Sequence, residues 1–86
     1  MIASLLKMNG PMDDELFRRF IATTAGVVAS YQLEAPGDPN GAAVFTVWQD
    51  EKSRDAYMAA SSIKAEVDRA YPNQSRTVYN VRNAKT

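Results

Sequence analysis

The chain has 86 residues, no cysteine and no histidine, and its ten acidic and ten basic side chains cancel. That length is one domain, residues 1–86, which buries only roughly 60–65% of the surface its unfolded form exposes, and no disulfide is available to compensate. The missing imidazole excludes haem ligation by His and a Ser-His-Asp triad, and a neutral chain without a basic stripe argues against nucleic-acid binding.

Residues 1–9 read as a first strand, with Ile2, Ser4, Leu6 and Met8 on one row and Ala3, Leu5, Lys7 and Asn9 on the other. Asn9-Gly10-Pro11 then breaks the strand. Residues 12–25 carry an apolar stripe of Leu16, Phe17, Phe20, Ile21 and Thr24 at helical spacing, with Asp13, Asp14 and Glu15 crowding the first turn. Gly26 suits a left-handed position beyond that helix. Residues 27–34 form a second strand, with Val27, Ala29, Tyr31 and Leu33 alternating against Val28, Ser30, Gln32 and Glu34. The turn-rich residues 36–41 predict a hairpin loop into a third strand at 42–49.

Asp50 and Ser53 compete as the next N-cap. From Arg54 a narrow stripe of Ala56, Ala60, Ile63, Val67 and Ala70 predicts one long helix, which Ser61-Ser62 could bend and Tyr71-Pro72 ends. A fourth strand follows at 75–82, with Thr77, Tyr79 and Val81 on one row, and residues 83–86 are a polar tail. No early apolar run is long enough for a secretory leader, and none approaches the ~20 residues of a membrane span. The expectation is a cytoplasmic protein with no membrane association.

Strand, helix, strand, strand, helix, strand is the split βαβ order. It predicts an α+β, ferredoxin-like domain: a four-stranded antiparallel sheet with both helices on one face. The third strand offers Ala43, Phe45 and Val47 on one row and Val44, Thr46 and Trp48 on the other, so neither face reads as wet. A second copy packing on the uncovered face, giving a two-fold homodimer, is the simplest way to bury it.

Four stretches carry a resemblance to a known family. They are Asn9-Gly10-Pro11, residues 24–33 (TAGVVASYQL), residues 47–53 (VWQDEKS) and Ala56-Tyr57-Met58. Together they resemble the dimeric α/β-barrel superfamily, and within it the small proteins similar to antibiotic-biosynthesis monooxygenases. The resemblance implies a homodimer whose sheets form a barrel and a pocket between each sheet and its helices. It also implies an activity, since some relatives oxygenate polycyclic phenols or quinols without metal or flavin. Other relatives degrade haem. In that branch the helix aromatic falls on Tyr57, the haem-ligating histidine ten positions on at Val67, and the first-strand asparagine on Ser4. This chain lacks that equipment, so haem degradation is rejected.

The substrate-binding candidates are Ser4, Tyr31, Trp48 and Tyr57; no residue is assigned as catalytic, as a metal ligand or to a cofactor. Trp48 reads as a core anchor or as the wall of an aromatic pocket. Tyr57 lies one residue off the small-residue stripe, where its phenol either meets a substrate oxygen or covers the helix edge. Tyr31 and Tyr79 lie on central-looking strand rows. Ser4 interrupts an apolar row and has no activating base. The Asp50, Glu51, Lys52, Arg54 and Asp55 cluster reads as a cap and solvated face, and Lys64 with Asp68 as an outer-face pair. Arg76 and Arg82 read as edge-strand charge, or as anchors for an anionic substrate. Two functions follow: a cofactor-independent monooxygenase acting on a small aromatic or enolic ligand, or a non-catalytic dimeric module binding a small apolar ligand or partner.

Overall fold

The structure, a computed structural model, describes residues 1–85. Strand β1 (Ile2–Lys7) leads through Asn9, held at φ 52°, into helix α1 (Asp14–Thr23). The helix starts two residues later than the expected residue 12, because Asp13 is the N-cap and accepts a hydrogen bond from the Leu16 amide at 3.0 Å. Strand β2 (Val27–Glu34) and β3 (Ala42–Trp48) form the expected hairpin, and its loop is closed by backbone bonds between Ala35, Asp38 and Gly41. Helix α2 (Glu51–Ala60) is capped by Asp50 rather than Ser53: the Asp50 carboxylate accepts from the Ser53 amide at 2.8 Å, and the Ser53 hydroxyl together with that amide holds its carboxyl below the usual range.

The single long helix expected from residue 54 onward is two. Ser61 adopts an extended ψ of 127°, ends α2 and caps α3 (Ser62–Ala70) through its hydroxyl and the Lys64 amide. The predicted stripe therefore holds only in α3, where Ile63 and Val67 are buried; Ala56, Ala60 and Ala70 are exposed, and α2 buries Tyr57 instead. The Lys64–Asp68 pair forms at 2.7 Å. Tyr71 closes α3 ahead of Pro72, and β4 (Ser75–Asn80) completes the sheet. Of the polar tail, Thr86 lies outside the described residues.

The sheet order is β2-β3-β1-β4, antiparallel throughout. The chain thus has the ferredoxin-like βαββαβ fold. Register puts Ser4 opposite Thr46 and Val78, and Leu6 opposite Val44 and Arg76. This row faces the helices, where Leu6, Met8 and Trp48 join Leu16, Phe20, Tyr57, Ile63 and Val67 in one core. A bulge at Val28 breaks the alternation expected along β2: Val27 pairs with Trp48 and packs on the core, while Ala29 pairs with Val47 on the opposite face. That opposite face carries Ala3, Leu5, Phe45, Val47, Tyr31, Leu33 and Tyr79, as the apolar rows predicted. No helix among the described residues is long and apolar enough to cross a membrane.

Candidate functional site

Between the helix-facing row of the sheet and the three helices lies a cavity with aromatic walls and a few polar groups. Its volume is about 50 Å³, room for roughly three to five waters at ~10–15 Å³ each. The sheet contributes Ser4, Leu6, Val44, Thr46, Trp48 and Arg76, with Met8 just after β1. Helix α1 contributes Leu16, Phe17 and Phe20, with Met12 and Asp13 just before it, and α2 contributes Arg54, Tyr57 and Met58. Helix α3 contributes Val67, with Tyr71 at its C-cap.

Trp48 is 2% exposed, and its indole Nε1–H donates to Ser4 Oγ at 3.2 Å. Neighbouring strands place both on one row, so this bond ties β3 to β1 across the cavity floor. Phe20 meets Trp48 edge-on at 6.0 Å and Tyr57 edge-on at 5.2 Å, and Trp48 and Tyr57 lie 5.5 Å apart. Such contacts fix ring positions and add to burial. The indole is thus both core anchor and cavity wall.

Burial pushes the Tyr57 phenol up to about 12, against the opposing pull of Arg76 and with a smaller upward contribution from Asp68. Tyr57 is therefore a neutral hydrogen-bond donor at neutral pH, not a base. The Asp68 carboxyl is pushed up by burial but held below the usual range by hydrogen bonds from Lys64 and Gln74. Tyr71, raised by burial, donates its hydroxyl to the Pro11 carbonyl at 2.7 Å. Thr46 shares a hydrogen bond with Ser30 at 2.9 Å.

Three of the four residues expected from the sequence, Ser4, Trp48 and Tyr57, line this cavity together. Tyr31 does not. The strand order puts β2 at an edge, not the centre, and Tyr31 points to the opposite face, 54% exposed and stacked on Phe45. Tyr79, 49% exposed on the other edge strand, shares that fate. Arg54 departs from the solvated face expected of it, and Arg76 is not a plain edge-strand charge: both are half-buried against the cavity. Their signal was present in the sequence. Arg54 precedes Tyr57 and Met58 by three and four residues, hence lies on the same helix flank. Thr46 was likewise visible as the one polar residue of its strand. Tyr71 was read only as a helix end.

No protein-family model matches the chain, and no curated protein matches it. Solved structures do. A variant of SnoaB, a cofactor-independent oxygenase from Streptomyces nogalater, superposes with a TM-score of 0.77 at 14% identity, covering 96% of this chain and 94% of its own. A proposed antibiotic biosynthesis monooxygenase from Deinococcus radiodurans gives 0.76 at 13% identity, covering 100% and 97%. A dimeric ferredoxin-like protein of unknown function from Jannaschia sp. CCS1 gives 0.72 at 7% identity, covering 93% and 98%. Over nearly its whole length, then, this chain has the ferredoxin-like fold of the antibiotic-biosynthesis-monooxygenase-type structures.

Proposed function

We propose that the protein is a small cofactor-independent oxygenase acting on an electron-rich aromatic, quinol-type substrate in the cavity between sheet and helices. The observation that supports this most is the convergence of Trp48, Phe20 and Tyr57 around the polar atoms of Ser4 and Tyr57, in a fold shared with a cofactor-independent oxygenase. In such chemistry the substrate's own electrons reduce dioxygen. The protein then contributes orientation, exclusion of water and hydrogen bonds. Trp48 and Phe20 would hold the ring, and the neutral Tyr57 phenol would donate to a substrate oxygen as negative charge develops there. The cavity must widen for a bicyclic ring, and the unbranched side chains of Met12 and Met58 can move with little strain.

Oxygen uptake with a panel of anthrones and naphthoquinols tests the reading. Uptake is expected for at least one of them, with kcat lowered about ten- to a hundredfold in Tyr57→Phe through loss of one transition-state hydrogen bond. No uptake anywhere on the panel, or undiminished turnover in that variant, would overturn it.

The narrowness of the cavity favours one second reading: a non-catalytic module whose cavity takes a small apolar ligand. It predicts thermal stabilisation by ligand without oxygen uptake. Under either reading we infer a homodimer joined through the sheet face away from the helices, and a barrel formed by the two sheets. The apolar row of Ala3, Leu5, Phe45 and Val47 on that face, with Tyr31, Leu33 and Tyr79 exposed beside it, supports this, as does the dimeric protein of the same fold.

A further inference from the structure

Two guanidinium groups border the cavity, one paired only with an exposed neighbouring carboxylate and the other with none in ion-pairing distance among the described residues. Arg54, in the first turns of α2, has a buried Nε–H with no acceptor. Among the described residues its one ion pair runs through Nη1 to the adjacent Asp55 at 3.7 Å, whose side chain is exposed. Arg76, on β4, gives its Nη1–H to the thioether sulfur of Met58 at 3.4 Å, and no carboxylate lies within ion-pairing distance among the described residues. A thioether is a weak acceptor for a charged donor. Met58 follows Arg54 by four residues and so lies on the same flank of α2, and all three side chains line the cavity.

The carboxylates nearby are committed. Asp13 lines the cavity but caps α1. Asp68 holds Lys64 and Gln74 directly, and Arg76 acts on it only as a charge beyond ion-pairing distance. On α1, by contrast, Arg18 pairs with Glu15 and Arg19 with Glu66. A half-buried charged donor left unmatched is costly, and planar guanidinium forks fit a carboxylate in bidentate geometry.

We propose that the cavity takes an aromatic carboxylate, its acid group held by Arg54 and Arg76 and its ring by Trp48, Phe20 and Tyr57. This rests on the reading of the cavity as an aromatic-ligand site. Anchoring the acid at the arginines would present the ring edge to the Tyr57 phenol. The chain as a whole is neutral, so the preference is local to this wall.

The test is isothermal titration of 1-hydroxy-2-naphthoate against its uncharged isostere 1-hydroxy-2-naphthamide. The acid is expected to bind at least about tenfold more tightly at low salt. In Arg54→Gln and in Arg76→Gln, each checked for fold by circular dichroism, that advantage should shrink to about twofold or less. If either variant fails to fold, Arg54→Lys and Arg76→Lys keep the charge but lose the fork, and must still reduce the advantage. Equal affinity for acid and amide, no binding of either at millimolar concentration, or a preference untouched by the substitutions overturns the proposal. Arginine-dependent binding of the acid without oxygen uptake by any quinol sustains it and removes the oxygenase reading. Oxygen uptake with acid and amide alike sustains the oxygenase reading and removes this one.

Discussion

Ser4 and Trp48 form one unit, although they lie 44 residues apart. The indole N–H is buried, so its only alternative to Ser4 Oγ is no partner at all. Ser4→Ala should therefore cost about 1–3 kcal/mol, the usual penalty for stranding a buried donor. Urea unfolding midpoints read this directly. In a Trp48→Phe background the same substitution should cost clearly less, because the stranded donor is gone; an equal cost in both backgrounds would show that the hydrogen bond contributes nothing. Both residues could be picked out of the sequence, Ser4 as an interruption and Trp48 as the single indole. Their mutual bond could not, because it depends on the register of β1 against β3.

Elements meet where side chains are smallest, and Gly26 is the tightest such point. It sits at φ 82° between α1 and β2, where a Cβ would fall 2.3 Å from the Ser53 Cβ on α2. Its carbonyl also accepts from the Gln49 amide at 2.8 Å, locking the end of β3 to the start of β2. Gly26→Ala is expected to destabilise by about 2–3 kcal/mol, from the left-handed penalty plus overpacking. In a Ser53→Gly background the overpacking part should vanish, leaving only about 1–2 kcal/mol in the same unfolding assay. The need for a left-handed residue was legible in the sequence, since a glycine followed a helix pattern. The closeness of Ser53 was not, because it depends on how α2 packs against the α1–β2 junction. The break at Ser61 was half legible: two serines lower helix propensity only slightly, and it is the Ser61 cap that turns a bend into two helices.

For the whole molecule, the central question is what covers the second face of the sheet. Phe45 sits near its middle, on β3, beside Tyr31 and opposite Leu5. Size exclusion with light scattering should give a mass twice the 9.5 kDa of one chain at micromolar concentration. Phe45→Glu should return the monomer mass, since it would bury an unpaired charge at each side of a two-fold interface. A monomeric wild type would remove the dimer.

The sequence by itself determined the order of elements, the apolar character of both sheet faces and the residue types available for chemistry. These are properties of local pattern: period two along strands, period near 3.6 along helices, caps and breaks between them. The tertiary structure alone decided the strand order, and with it that Tyr31 and Tyr79 stand at edges facing away from the cavity. It also decided that Tyr57, not the alanine stripe, faces the core, and that Arg54 of α2 and Arg76 of β4 both line the cavity. Pattern fixes which residues share a row. Only packing fixes which row meets the helices, and the cavity exists only where those rows meet.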